Sequence, residues 1–364
     1  MVTDLLIKLA LAGAMLFMVL NLAGIQTWVE RKQSALMQDR VGANRAYFVL
    51  PWRWAAPMNW VLRKIGGLGL LHPLADVIKL LTKEDIVPET GHRVLHWLAP
   101  WISVFFALIA FAAIPFGDHL VLGGRVIELQ VAHIDAGLLV VLALASIGIY
   151  GVILAGMASG SNLTALGGLR AASQMFAYEI ALGVSLVGTV IWYGTLDLQS
   201  IIRQQGALLG GWLPAWGVVT QPLGCLLFMT AALAETKRVP FDLPEGEPEI
   251  IGYFTEYSGM KFGLFFLTDF VETVLVAALT TVLFFGGWQI PWLAPEAYPQ
   301  NMMAVLGMLA FTVKVAGFLW LFMAIRWTLP RFRYDQLMRL GWKALFPLSL
   351  ANVGVTGLAR VLIR

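Results

Sequence analysis

The stretch GLLVVLALASIGIYGVILAGM, residues 137–157, decides the fold class of this chain. It holds no charged side chain, and an α-helix of this length spans a hydrocarbon core of about 30 Å. Globular proteins rarely contain an uncharged apolar run this long. Residues 137–157 therefore predict a membrane-spanning helix.

Seven further apolar stretches predict the same structure, so we expect an all-α polytopic membrane protein that forms a single membrane domain over residues 1–364. The composition agrees, with 59% hydrophobic and 13% charged residues, against about 25% charged residues in globular proteins. It excludes a soluble enzyme, and the single cysteine, Cys225, excludes an internal disulfide. The eight predicted spans are 5–28, 97–116, 137–157, 174–193, 217–236, 260–286, 302–325 and 342–361.

The basic residues predict the orientation. Ten Lys and Arg lie in 29–96 and four in 326–341, whereas the three long loops on the other side hold only Arg125 and Arg203 between them. The positive-inside rule places the basic loops in the cytoplasm and both termini outside. Topology thus accounts for the pI near 9.0, and we expect the lipid bilayer, not nucleic acid, as the partner of this charge.

The cytoplasmic loop 29–96 is too long for a simple connection and should have structure of its own. Residues 72–84, HPLADVIKLLTKE, have the spacing of an amphipathic helix in the membrane interface, although a plain surface anchor is the alternative. Residues 46–68 combine three Trp with Arg, Lys and Pro, a composition typical of the headgroup region. We expect an ordered interfacial segment there.

A second cytoplasmic loop, 235–259, is acidic. Within it, residues 235–256 carry six acids and two bases, a net charge of −4 on the side that should be positive. Pro240, Pro244 and Pro248 prevent a continuous helix. Like charges this close raise one another's pKa values, so these groups should titrate as a coupled set. A solvated acidic loop is the alternative.

Charged residues inside the predicted spans mark candidate proton or ion pathways, because an unpaired charge in the bilayer costs several kcal/mol. They are Glu179, Glu235, Asp269, Glu272 and Lys314. The alternative for each is a satisfied structural pair. Five His and one Cys make no recognisable metal-ligand set, and no Walker A or dinucleotide fingerprint is present. Any redox cofactor should therefore belong to another polypeptide.

Several motifs, in order along the chain, resemble those of the H-type membrane subunits of the respiratory NADH:quinone oxidoreductases, complex I. They are ERK (30–32), QDRVGANR (38–45), LLHPLAD (70–76) with Lys83-Glu84, LGGLRA (166–171) with Tyr178-Glu179, AETKRVPFDLPE (234–245), TEYSGM (255–260) and PRFRYDQLM (330–338). The resemblance covers nearly the whole chain. The chain departs from the family pattern at Ala43, His72 and Asp269. It is also one residue shorter than that pattern between Glu249 and Glu256, which affects the placement of Glu256.

The resemblance implies a subunit of the bacterial inner membrane at the junction with a hydrophilic arm, where ubiquinone or menaquinone leaves the bilayer. FMN and iron–sulfur clusters belong to partner subunits, and antiporter-like membrane subunits are further partners. The first helix, the amphipathic helix and the sixth helix are expected to frame the quinone entrance. The residues implied near the channel are Trp28, Arg31, Arg40 and Ala75, with Arg238 as a counter-charge.

The resemblance also implies a train of carboxylates that passes the redox event toward proton-pumping subunits. Its members are Glu30, Asp76, Glu84, Glu179, Glu235, Asp242, Glu245, Glu247, Glu249 and Glu256. Two other interpretations stay open: a homologous membrane subunit of an energy-converting hydrogenase or other quinone-linked dehydrogenase, and a stand-alone cation/proton transporter. The lack of an apparent internal repeat counts against the transporter.

Overall fold

A computed structural model describes residues 2–44, 46–47, 49–122, 124–243, 252–293 and 299–363. In the first half of the chain the helices and strands are α1 Val2–Met37, α2 Ala56–Leu68, α3 His72–Thr82, α4 Arg93–Ile109, β1 His119–Leu122, β2 Arg125–Glu128, α5 Gly137–Ala158 and α6 Asn162–Tyr193. In the second half they are α7 Leu198–Gln205, β3 Leu208–Leu209, β4 Leu213–Pro214, α8 Gly217–Thr220, α9 Pro222–Glu235, α10 Gly259–Phe284, α11 Gln300–Thr328, α12 Tyr334–Arg339 and α13 Phe346–Ile363.

The expectation of an all-α polytopic membrane protein is confirmed. Within the described residues, seven helical stretches are long and apolar enough to cross a membrane: α1, α4, α5, α6, α10, α11 and the run from α12 through a π-helical turn at Leu340–Leu345 into α13. Within the residues that the structure describes, the strands form only two short antiparallel hairpins, β1 with β2 and β3 with β4. The apolar side chains of the helices pack on one another as one main core.

The fifth predicted span, 217–236, is not one continuous helix. It is divided at Gln221 into the single turn α8 and the shorter helix α9. Pro222 lacks an amide hydrogen, so a helix begins there more readily than it continues through it. The side-chain amide of Gln221 bonds to Asn352 (3.2 Å) and Thr356 (2.9 Å) on α13, which ties the position of the break to that helix.

The loop expected at 29–96 is shorter than predicted at both ends. Helix α1 continues to Met37, because no Gly or Pro interrupts the chain between Gly24 and Gly42, and α4 already begins at Arg93. The helix α3 coincides with the predicted amphipathic helix and ends two residues earlier. The acidic loop also begins later than expected, because Glu235 is the last residue of α9.

A second helix, α2, lies within the segment expected to be interfacial. It meets α3 at an angle of 95°. Gly69 makes this bend possible: its φ is +81°, and a Cβ atom there would overlap the carbonyl of Ala43.

The connections between the helices contact one another at each of the two ends of the bundle. At one end, Asp118 at the start of the first hairpin bonds Arg203 (3.0 Å) of α7, and Asn301 of α11 bonds Val121 of β1. At the other, which we call the basic end, the loops after α1, α3, α9 and α11 meet. Of the described spanning helices, α10 is the most enclosed, and it contacts α1, α3, α4, α9 and α11.

Lys314 lies in the middle of α11 and supports the turn after α10. Its ammonium donates to the carbonyls of Phe285 (2.8 Å), Gly287 (3.0 Å) and Gln289 (2.6 Å), and it lies 4.7 Å from the centre of the Trp216 ring. These carbonyls belong to residues just after the end of α10 at Phe284. This lysine, a pathway candidate by sequence, therefore has the contacts of a side chain that fixes the turn after α10.

We expect Lys314→Met to lower the thermal stability of the assembled protein, because each charge-assisted hydrogen bond contributes about 1.5–3 kcal/mol. The unfolding midpoint in mild detergent should fall by about 5 °C. Lys8→Met, on the exposed side of α1, is the control and should leave it unchanged. An unchanged midpoint for Lys314→Met together with lost ion translocation would return Lys314 to the pathway.

Candidate functional site

At the basic end, Glu30 of α1 is the centre of one ion-pair group. Its carboxylate accepts from Arg326 at the end of α11 and lies 3.6 Å from the guanidinium of Arg238, in the turn after α9. The Arg238 guanidinium also lies 4.1 Å from the centre of the Phe270 ring of α10. One carboxylate that is 14% exposed thus joins α1, α11 and the turn after α9.

A second group fixes the described part of the acidic loop. Asp242, whose side chain is 6% exposed, bonds the guanidinium of Arg331 at 2.7 Å. Beside this pair the rings of Phe241 and Phe332 stack with centres 5.5 Å apart, and the Phe332 amide donates to the Pro240 carbonyl. The loop therefore packs against the connection between α11 and α12.

The third group lies deepest in the protein and contains Lys237. Its ammonium is 3.0 Å from Asp269 and 3.5 Å from Glu272, both on α10, and the side chain is 2% exposed. Burial alone would lower the pKa of Lys237, but the attraction of the two carboxylates outweighs burial and raises it well above its usual value. The ammonium therefore stays charged at neutral pH and holds α10 to the turn after α9.

Glu235 closes α9 next to this group. A cavity of about 30 Å³ lies between α4, α5, α6, α9 and α10, and Glu235 and Glu272 are the acidic residues that line it. A cavity of that size has room for a water molecule. Glu179 of α6 is close enough to Glu235 for their charges to interact. The structure thus brings together three carboxylates that lie far apart in the sequence.

The residues implied for the quinone entrance lie where α1, α3 and α10 pack on one another. Arg31 of α1 bonds Asp76 of α3, and the Trp28 indole donates to the Leu68 carbonyl at 2.8 Å. Ala75 is half-buried beside Asp76. Three of the four channel residues therefore share this junction.

Arg40 differs from the other three channel residues, because it lies beyond the end of α1. There it bonds Gln38 (2.6 Å) and Ser34 (3.4 Å) and is exposed.

Two polar residues of α1 escaped the sequence analysis. Gln26 and Gln33 are 2% and 6% exposed, and their amide groups have no hydrogen-bonding partner among the residues that the structure describes. They lie on the helix face of Glu30, four residues before it and three after it. A buried unpaired amide costs about 1–3 kcal/mol. The spacing of Gln, Glu and Gln inside an apolar helix was the available signal.

The remaining carboxylates are not part of the buried groups. Glu84 and Glu256 are exposed, on adjoining segments that Ser258 joins by donating to the Glu84 carbonyl (2.9 Å). The expected positions Glu245, Glu247 and Glu249 lie outside the described residues, as does the apparent one-residue deletion before Gly252.

A further cluster at the basic end was also missed. Lys261 pairs with Asp85 at 2.8 Å and approaches the ring of the buried His96 at 3.4 Å, and that ring stacks on Tyr257 at 3.9 Å. No group of three or more His, Cys, Asp and Glu side chains in the described parts of the chain is arranged to hold a metal ion.

Comparison with known proteins gives one consistent family. Residues 9–357 match the family model described as NADH dehydrogenase. An H-type subunit of the NADH-quinone oxidoreductase of Cytophaga hutchinsonii is 42% identical over 97% of this chain and 96% of its own. The H-type subunit of Thermomicrobium roseum is 44% identical (98% and 97%), and NADH-quinone oxidoreductase subunit 8 of Rhodothermus marinus is 41% identical (93% and 93%).

The Asp242–Arg331 pair should contribute measurably to stability. Asp242→Asn removes the charge from a nearly buried carboxylate, and we expect a loss of about 1–2 kcal/mol, because Arg331 is itself a third exposed. The matched control is Asp335→Asn, which breaks an exposed pair with Arg333 and should have no measurable effect. Thermal unfolding of the solubilised complex measures both. Equal midpoints for the two variants would mean that the Asp242 pair contributes no more than a surface pair.

Proposed function

Because the chain belongs to the family of H-type subunits of the NADH-quinone oxidoreductases, complex I, we propose that it forms part of the quinone channel and couples quinone reduction to proton translocation. The observation that carries this proposal is a set of carboxylates that runs from the partly exposed Arg31–Asp76 pair, through the buried pairs of Glu30, Asp269 and Glu272, to the cavity beside Glu235. Ionisable residues inside membrane-spanning bundles commonly mark proton or ion pathways.

Quinone enters, in this proposal, where α1, α3 and α10 meet. The Trp28 ring and the half-buried Ala75 supply apolar walls, and the Arg31–Asp76 pair supplies charge at the rim. Further along the buried face of α1, the amides of Gln26 and Gln33, unpaired within the described chain, offer donors and acceptors of the kind that quinone carbonyls or water require.

The carboxylates transmit the event in two stages. Glu30 interacts with Arg238, and the next residue toward α9, Lys237, holds Asp269 and Glu272. A change of charge near Glu30 therefore reaches the α10 carboxylates through two adjacent bases. Glu272, Glu235 and Glu179 then form the path for a proton, because the cavity between the first two has room for a bridging water.

The charge pattern supports the orientation, and the family supports the partners. The basic end faces the cytoplasm of a bacterium, at its inner membrane, and docks the hydrophilic arm. Partner subunits there hold FMN and the iron–sulfur clusters and deliver electrons from NADH to ubiquinone or menaquinone. Antiporter-like membrane subunits receive the coupling signal.

We expect Glu179→Gln and Glu235→Gln each to reduce proton pumping by about tenfold or more while assembly is retained. The amide keeps the volume and most hydrogen bonds, but it cannot carry a proton through the path, and such a group contributes about 10²–10⁴-fold. Quinone-dependent proton uptake in vesicles, with complex content measured in parallel, is the readout.

The control for these variants is Glu128→Gln, an exposed carboxylate at the opposite end of the bundle. It should pump normally. If the Glu179 and Glu235 variants also assemble and pump normally, these residues are structural and the proposed path is wrong.

The 235–256 segment should change protonation or conformation with the redox state of the quinone. An anionic intermediate nearby adds negative charge, which raises the pKa values of a segment with net charge −4 and favours proton uptake. Reduced-minus-oxidised infrared spectra should contain carboxylic C=O bands that Glu245→Gln, Glu247→Gln or Glu249→Gln removes. A rigid docking surface predicts no such bands, and the same hydrogen exchange with and without quinone.

A further inference from the structure

The helix α2 and the turn before it present an apolar stripe that packs on no part of the described chain. Trp54, Met58, Val61 and Leu68 recur at helical spacing and are 74%, 52%, 44% and 58% exposed. The helix has no substantial contact with any of the described helices of the bundle. An exposed apolar stripe of this kind marks an interaction surface.

The opposite face of α2 is fixed in place. The Asn59 side chain bonds both the amide (2.8 Å) and the carbonyl (3.1 Å) of Leu50, and Gly66 lies so close to Tyr47 that a Cβ atom would overlap it. At its end, the Leu68 carbonyl accepts from Trp28 of α1. The stripe therefore faces away from the protein because the other face is held.

The charge around the stripe is of one sign. Residues 40–75 contain no Asp or Glu, but they contain Arg40, Arg45, Arg53, Arg63 and Lys64. A net charge of +5 over 36 residues complements a surface of anionic headgroups. It does not complement an apolar face of another protein.

The aromatic residues lie at the border between the stripe and the charges. The Lys64 ammonium lies 3.9 Å from the centre of the Trp60 ring, and the rings of Trp52 and Trp54 stack at 5.7 Å. Trp and Lys at the edge of an apolar stripe occupy the headgroup level, with the ring partly in the acyl region and the ammonium in the polar layer.

We propose that α2 with the turn at 52–55 is a binding surface for anionic phospholipid, with the stripe in the acyl boundary and Lys64 and Arg63 against the headgroups. The surface is continuous with α1 through Trp28 and Leu68, so a bound lipid lies beside the junction of α1 and α3. The inference needs only the membrane location of the bundle. It does not depend on the proposed quinone chemistry.

The test places a photo-crosslinking residue in the stripe of the assembled complex. Val61→p-benzoylphenylalanine, with Met58→p-benzoylphenylalanine as a second position, is irradiated in vesicles of phosphatidylcholine mixed with phosphatidylglycerol, and the adducts are identified by mass spectrometry. Both positions are exposed, so the substitution should not disturb packing. Val313→p-benzoylphenylalanine, on the exposed face of α11, is the control for lipid contact at an uncharged surface, because the adjacent Lys314 points inward to the turn after α10.

We expect lipid adducts at positions 58 and 61 that are enriched in phosphatidylglycerol over its share of the vesicle, and adducts at position 313 in the bulk proportion. The double variant Arg63→Gln with Lys64→Gln should lower the enrichment in phosphatidylglycerol by about fivefold for each basic residue removed. The enrichment cannot fall below the share of phosphatidylglycerol in the vesicle. Lys8→Gln with Arg360→Gln removes the same charge from other parts of the chain and should leave the enrichment intact.

Three results would overturn the inference. Adducts with another polypeptide would mean that a partner subunit covers the stripe. The absence of adducts at both positions would mean that the stripe faces water. Lipid adducts in the bulk ratio, unaffected by the Arg63 and Lys64 variants, would mean that the surface contacts the bilayer without selecting anionic lipid.

Discussion

A charge inside an apolar helix bundle must be paired, and this constraint organises the protein. The energetic cost of an unpaired ammonium or carboxylate in such surroundings is several kcal/mol. Lys237 pairs with two carboxylates of α10, and Glu30 pairs with two arginines. Lys314 donates hydrogen bonds to three backbone carbonyls. Each of these sets of contacts joins a helix to a turn or to another helix and so fixes their relative position.

The same constraint governs the irregular backbone within the bundle. Where α8 and the turn after α10 interrupt the helical pattern, side chains supply the missing partners. The Gln205 amide donates to the Val282 carbonyl (2.8 Å) and accepts from the amides of Gly217 (3.2 Å) and Gly286 (2.9 Å). Non-helical backbone is tolerated at membrane depth only when it is satisfied in this way.

These facts explain what the sequence could and could not predict. The spans were predictable because they depend on local hydrophobicity, as in residues 137–157. The break at Gln221 had a local signal in Pro222, but the partners of the Gln221 side chain on α13, more than a hundred residues away, had none. Likewise, Lys314 had the signal of an ion pathway, and only the fold reveals that its ammonium holds the turn after α10.

The sequence predicted several acidic residues of the candidate site but not the residues with which they form ion pairs. Glu30, Glu179, Glu235 and Asp242 stood out as charges in apolar or acidic surroundings. Their partners did not, because an ion pair such as Glu30 with Arg326 joins residues from opposite ends of the chain. Gln26 and Gln33 share a helix face with Glu30, which was a signal in the sequence, but only the packing reveals that their amides are buried without a partner in the described chain.

The two ends of the bundle differ in how they are held, and the difference bears on function. Ties at the opposite end include the neutral amide bonds between Asn301 and Val121, and its ion pairs, Arg125 with Asp4 and Arg203 with Asp118, are open to water. Water screens such a pair. At the basic end, by contrast, Lys237 and Asp242 are paired where water hardly reaches. A nearby change of charge shifts the balance of such buried pairs by several kcal/mol and leaves neutral amide bonds almost untouched. The basic end is therefore the end at which a nearby change of charge acts most strongly on buried groups.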